Sequence, residues 1–430
     1  GRTNRNLWKV VNSGHQHSDF AGAAGNPAGI FGMRATRVGA CLLFLVCLLL
    51  GSGIEVKASW QQGQDSSQND HAMSEIELLG IGEEVKEIEN YLRQSLGEGQ
   101  ADFSFLSLMK SLLTGQFSQA AYEAGKGMKN SLLNEIEAGG GLLLQVVMIG
   151  IVGAVFSNFS SIFRGSHISE TGFFVTYLLL FTCLAASFFA SLQIAAKVLE
   201  QIFSFLRVLM PAYFMAVAFA GGSLSAAALY EVMMAAVTLV SWICKNILLP
   251  MVRIDVLLVL AGHVAKEETF TRMTELLEEA VGWILKTLTG LILGFHIIQS
   301  MVLPYADSAG QAGIRKLVEL IPGVGSGANA LTQVVLGSGV LIKNTMGAAA
   351  VAVLLILTLV PMAKLAVLMV LYQAAAAVMQ PVCDRRVVSC VNGIAKGHKL
   401  LLKIVAASLI LFILAIALTC AATNVNYYTI

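Results

Sequence analysis

Residues 345–380 read TMGAAAVAVLLILTLVPMAKLAVLMVLYQAAAAVMQ, with one charged residue, Lys364, and one proline, Pro361. A bilayer core is matched by about 20 consecutive apolar residues, so this run exceeds a single crossing. Pro361 divides it into candidate spans 345–360 and 361–380, which read either as one kinked helix or as a re-entrant hairpin. Outward from it the pattern recurs, at 142–163, 172–195, 205–221, 223–245, 247–263, 282–303 and 401–422. Two of these adjoin at Pro250 in the same way. The expected fold is therefore an all-α polytopic membrane protein with about six to eight transmembrane or re-entrant helices.

Composition agrees. Of 430 residues, 56% are hydrophobic and 13% charged, about half the charged share of a soluble domain. The net charge of +1 supplies no field to draw in nucleic acid. The seven cysteines are scattered, without disulfide-framework or zinc spacing. No His-Glu-x-x-His pattern, nucleophile elbow, phosphate loop or haem-attachment motif is present; Gly125-Lys126-Gly127 lacks the partners a phosphate loop needs. No enzyme, cofactor or metal is expected.

The amino-terminal part reads differently. Met33, Arg34 and Arg37 precede the apolar stretch 38–50 and then small residues, which is the layout of a secretory signal. Residues 33–58 are assigned to that signal and 1–32 to an upstream, non-native extension. Ile81, Val85, Ile88, Leu92 and Leu96 recur at helical spacing, with Glu83, Glu84, Glu87 and Glu89 among them. Residues 59–138 are read as a small helical extracytoplasmic segment, and 139–430 as the membrane domain. Arg385, Arg386, Lys396, Lys399 and Lys403 are opposed only by Asp384, which places their segment on the cytoplasmic side.

The chain also carries a spacing pattern. Pro250 and Pro361 lie 111 residues apart, as do Pro211 and Pro322, and Gly282 and Gly393. Arg253 and Lys364 follow their prolines at the same offset. Prolines and charges are uncommon in membrane helices, so repeat units at 205–303 and 316–422 are expected. Repeated halves with broken helices are a transporter-like arrangement.

Ionisable residues inside apolar runs are the candidate pathway: Glu231, Arg253, Asp255, His296 and Lys364. Such groups face a partner or a wet cavity, or serve as structural ion pairs and snorkelling charges. Pro211, Pro250, Pro361 and the run Pro322, Gly323, Gly325 and Gly327 are candidate hinge or re-entrant positions. Gly290 and Gly294, with Gly282 on the same stripe, suit close helix packing.

The segment Leu320–Asn344, with Leu-Ile-Pro-Gly-Val-Gly and then Gly-Val-Leu-Ile-Lys-Asn-Thr, resembles the stage III sporulation protein AE family. Pro361, Lys364, Tyr372–Ala377 and Gln380-Pro381 extend the likeness, as do Met210-Pro211 and Gly221–Ala227. The resemblance implies a non-enzymatic, multi-pass subunit of a mother cell–forespore channel complex in the mother-cell membrane surrounding the forespore. It implies as partners a secretion-type ATPase, ring-forming subunits and a forespore channel protein, besides the lipid bilayer. A stand-alone secondary transporter of a small solute is the alternative that the repeat and broken helices suggest.

Overall fold

The computed structural model describes residues 82–96, 104–113, 166–221, 223–262, 270–319 and 325–428, with scattered positions between 141 and 155. The signal and the upstream extension lie outside them, as do Pro322 and Gly323. Every regular element among the described residues is helical. In chain order these are α1 (Gly82–Leu96), α2 (Phe105–Leu113), α3 (Ser166–Phe219), α4 (Ser223–Ile243), a π-helical turn (Cys244–Leu248), α5 (Leu249–Gly262), α6 (Thr271–Glu319), α7 (Gly325–Met379) and α8 (Arg385–Tyr428).

Five stretches are long and apolar enough to cross a membrane: 174–219, 225–262, 271–302, 336–379 and 385–423. The chain is an all-α polytopic membrane protein. Candidate spans that adjoin in sequence are here single helices. Both 345–360 and 361–380 fall in α7, which runs through Pro361, and 172–195 and 205–221 fall in α3, which runs through Pro211. Proline removes one backbone donor, and neighbouring helices make that loss tolerable inside a membrane bundle. At Pro250 the chain uses a different device. The Leu249 N–H donates to the Cys244 carbonyl in the π-helical turn just before it, a local widening that shifts the hydrogen-bond register.

Contacts set the helix directions. Val259 of α5 packs on Gly393 of α8, Val256 and Phe188 pack on Gly397, and Tyr177 of α3 donates to the Leu260 carbonyl. These contacts gather the start of α3, the end of α5 and the start of α8 at one end of the bundle. At the other end Tyr213 of α3 meets Cys420 of α8 at 3.0 Å, and Gly339 of α7 lies against the backbone of Phe219 and Ala220. Lys396 and Lys403 of α8 approach Glu278 and Gly282 of α6 in step along both helices, so α6 and α8 are parallel. Helices α3, α6 and α8 thus run one way, and α4–α5 and α7 run the other. The hairpins α4–α5/α6 and α7/α8 point in the same direction.

The connection from α3 to α4 turns at Gly221, whose φ of 92° is left-handed, the conformation glycine takes without cost after a helix. Its N–H donates to the Ala218 carbonyl at 3.1 Å.

Helix α1 does not stand apart. Val85, Ile88 and Leu92 are buried, and Tyr91 donates to the Gln201 carbonyl in the middle of α3 at 3.0 Å. Burial pushes the Tyr91 phenol up, so it remains a donor at neutral pH. Gln201 returns a bond to the Ser95 carbonyl, and Phe105 N–H of α2 donates to Glu89. The outer face of α1 carries Glu83, Lys86, Glu87 and Arg93, all exposed.

Glycine positions separate two kinds of helix face. A Cβ at Gly339 would sit 2.8 Å from the backbone of Phe219 and Ala220, whereas one at Gly290 meets nothing within 4 Å. Gly339→Val is expected to cost about 1–3 kcal/mol through overpacking, while Gly290→Ala is neutral or stabilises by up to about 1 kcal/mol through helix propensity. Thermal unfolding of the two variants in the same detergent checks both values.

Candidate functional site

Polar groups are gathered at three depths of the bundle. At the end where α5 finishes, Asp255 is 2% exposed, and its Oδ1 finds no hydrogen-bond partner among the described residues. A buried carboxylate without a full set of partners is costly. The charges that act on it are Glu278 of α6 and Lys396 of α8, which stand 3.9 Å from each other. Beside them lies a cleft of about 180 Å³, lined by Thr274, Glu278, Ser389, Asn392 and Lys396 among others. This arrangement can hold a small polar or charged solute, or a proton.

Deeper, the helices are tied by hydrogen bonds through His398, which is fully buried on α8. Its Nδ1 lies 2.8 Å from the Ile394 carbonyl. A carbonyl only accepts, so Nδ1 carries the proton and Nε2 is left to accept from the Ser191 hydroxyl of α3, also at 2.8 Å. The Tyr372 ring of α7 packs on the imidazole at 5.3 Å between centroids, and the Tyr372 hydroxyl meets Ser187 of α3 at 2.5 Å. One polar cluster therefore joins α3, α7 and α8. At the π-helical turn, Lys245 forms an ion pair with Glu200 of α3, and Cys244 faces Ser408 of α8 at 3.6 Å.

Toward the opposite end Lys343 of α7 is fully buried and donates to the Thr423 hydroxyl of α8 at 2.8 Å. Thr423 in turn donates to the Thr419 carbonyl.

Residues 103–423, which hold this whole array, match the family described as Stage III sporulation protein AE. The chain belongs to that family. It is 24% identical to the Stage III sporulation protein AE of Bacillus subtilis (strain 168) over 394 residues, covering 90% of this chain and 97% of that protein. No solved structure matches. As a member of a stage III sporulation family, the chain has its role in sporulation.

In this family member the residues expected from sequence do not share one place. Asp255 joins Glu278 and Lys396. Glu231 and Arg253 are exposed on the outer stripe of α4 and α5, separated by about 33 Å of helix at 1.5 Å per residue. The Arg253 guanidinium lies 4.9 Å over the Phe189 ring. Lys364 is half-buried on α7. His296 is buried on α6, with no hydrogen-bond partner for either ring nitrogen among the described residues. Gly325 and Gly327 belong to the first turn of α7. Gly282 lies under Lys403, while Gly290 and Gly294 face open space.

Glu200, Lys245, Lys343 and His398 went unread in the sequence. Glu200 and Lys245 do interrupt apolar runs, and their opposite signs were an available signal. His398 sits among the lysines that begin α8, where nothing in one dimension marks it as buried. Removing its partner with Ser191→Ala leaves Nε2 unsatisfied, with an expected cost of about 1–3 kcal/mol. Thermal unfolding reads this loss, and adding His398→Phe in the same chain is expected to recover part of it.

Proposed function

We propose that the chain is a non-enzymatic membrane subunit of the mother cell–forespore channel complex that endospore development needs after engulfment. It sits in the mother-cell membrane around the forespore and works with other stage III sporulation proteins: a secretion-type ATPase, ring-forming subunits and a forespore channel protein. The hairpins α4–α5/α6 and α7/α8 correspond to the repeat units 205–303 and 316–422.

The observation that carries this reading is charge on the outside of an apolar bundle. Glu231 points outward from α4, in a helix whose mean composition suits hydrocarbon. Helix α1 turns Glu83, Lys86, Glu87 and Arg93 outward where it lies along α3. Hydrocarbon does not solvate such groups, and intramembrane charges face protein or water. A subunit whose outer surface is completed by neighbours satisfies both. A stand-alone permease would bury its charges toward its own centre; Asp255 with Glu278 and Lys396 is the cluster that favours that second reading.

Deleting the gene in its spore-forming host is expected to leave engulfment intact and then to collapse the forespore, with heat-resistant spores lost. Restoring the gene with Glu231→Leu is expected to weaken co-purification with the partner proteins about tenfold, equivalent to about 1.4 kcal/mol, at unchanged protein level. Normal heat-resistant spores in the deletion strain would overturn the assignment. Solute uptake by the purified protein alone in vesicles, abolished by Asp255→Asn, would establish the permease instead.

A further inference from the structure

Lys286 of α6 and Lys399 and Lys403 of α8 converge on one groove between these parallel helices. Lys403 lies across Gly282, its Nζ 3.0 Å from where a Cβ would be, and it feels the charges of both other lysines. All three are exposed. Among the described residues none of the three forms an ion pair; the neighbouring Glu278 is engaged by Lys396. Glu278 also acts on Lys403, but it is shared with Lys396, so positive charge is in excess, the lysines repel one another and helix geometry keeps them together. An outside anion relieves that repulsion.

The groove below the lysines has a different character. On α8, 410 and 414 follow 403 at helical spacing, and both Ile410 and Leu414 are exposed. On α6 the stripe that begins at Lys286 continues through Gly290, Gly294, Ile297 and Met301. Ile297 and Met301 are exposed, and neither glycine has anything within 4 Å. No charged residue lies between Lys403 and Thr423, which is about the length of one bilayer crossing. A cationic rim thus opens onto an apolar channel that two glycines deepen on one side.

We propose that this groove is a binding site for an anionic phospholipid. The phosphate-bearing headgroup sits among Lys286, Lys399 and Lys403, and the acyl chains run along Gly290, Gly294, Ile297, Ile410 and Leu414. Charge complementarity selects the headgroup, because basic pockets between membrane helices take anionic lipid heads. The apolar continuation selects a lipid over an acidic protein segment, which would satisfy the lysines and leave the channel below them unfilled. Small residues on α6 give a chain room that a larger side chain would fill.

The full chain, purified in mild detergent, is mixed with phosphatidylglycerol or phosphatidylcholine, and bound lipid is counted by native mass spectrometry. Wild-type protein is expected to retain phosphatidylglycerol over phosphatidylcholine. Each of Lys286→Gln, Lys399→Gln and Lys403→Gln is expected to lower that preference by about fivefold. The triple Lys→Arg variant keeps the charges and is expected to keep the preference, which separates lost binding from lost fold. Lys197→Gln, on the exposed face of α3, is expected to change nothing. Gly290→Leu is expected to weaken retention of phosphatidylglycerol while leaving binding of inorganic phosphate unaltered. Equal retention of the two lipids by wild type overturns the proposal. So does displacement of phosphatidylglycerol by inorganic phosphate alone, which marks a headgroup site without a chain groove. An acidic peptide that competes in proportion to its charge, with Gly290→Leu silent, assigns the surface to a protein partner and also overturns it.

Discussion

A helix of 46 residues, such as Phe174–Phe219, rises about 69 Å at 1.5 Å per residue, roughly twice the hydrocarbon thickness of a bilayer. The stretches 225–262, 336–379 and 385–423 are of similar length, so each is longer than one hydrocarbon crossing, and in α8 the charged part from Arg385 to Lys403 precedes an uncharged part. Everything else about the molecule follows from that excess. A helix so long carries part of its length outside one hydrocarbon core, where its polar residues meet water or other chains. The outward charges at Glu231 and along α1 take protein or water, not lipid tails, as neighbours. Tilt and local bilayer adjustment absorb a few ångströms of mismatch, not a doubling.

Helices this long are tied to one another part-way along their length. The half-exposed ion pair Glu200–Lys245 and, further in, the thiol–hydroxyl contact Cys244–Ser408 and the cluster of His398, Ser191, Tyr372 and Ser187 link neighbouring helices. Each member has a geometric reason to be polar. Lys245 lies in the π-helical turn, where the hydrogen-bond register changes before Pro250. His398 uses one nitrogen on its own helix and one on α3, which fixes the rotation of α8. Gly393 and Gly397, which bring α8 against Val259, Val256 and Phe188, set how closely it approaches. These contacts also bind the two same-direction hairpins to α3, the helix on which α1 lies.

The all-α membrane fold was legible because hydrophobic length alone decides it, and the run around Pro361 is unambiguous on that measure. The joining of paired spans was less legible. Proline in one dimension reads as a break, yet Pro211 and Pro361 are carried inside continuous helices and Pro250 is absorbed by a π-helical turn. Which charges face inward was legible only in part. Asp255 and Glu231 look alike in sequence, each a single acid in an apolar run, but 24 positions of helical rotation place one against Glu278 and Lys396 and the other outside. His398 and Lys343 were hidden because burial at those positions is created by α3, α7 and α8 coming together. The Gly290/Gly294 stripe has the spacing of a packing face, yet among the described residues nothing lies within 4 Å of either glycine's open side, and that openness is visible only in three dimensions.

The central claim is that the outer charged surface of the bundle is covered by protein in the cell. A photo-crosslinking amino acid placed at position 231 in the functional chain, activated in sporulating cells, tests it most directly. Adducts with another stage III sporulation protein or with a second copy of the chain, formed after engulfment, are the expected result. Adducts with lipid alone, in cells that go on to make heat-resistant spores, would contradict it.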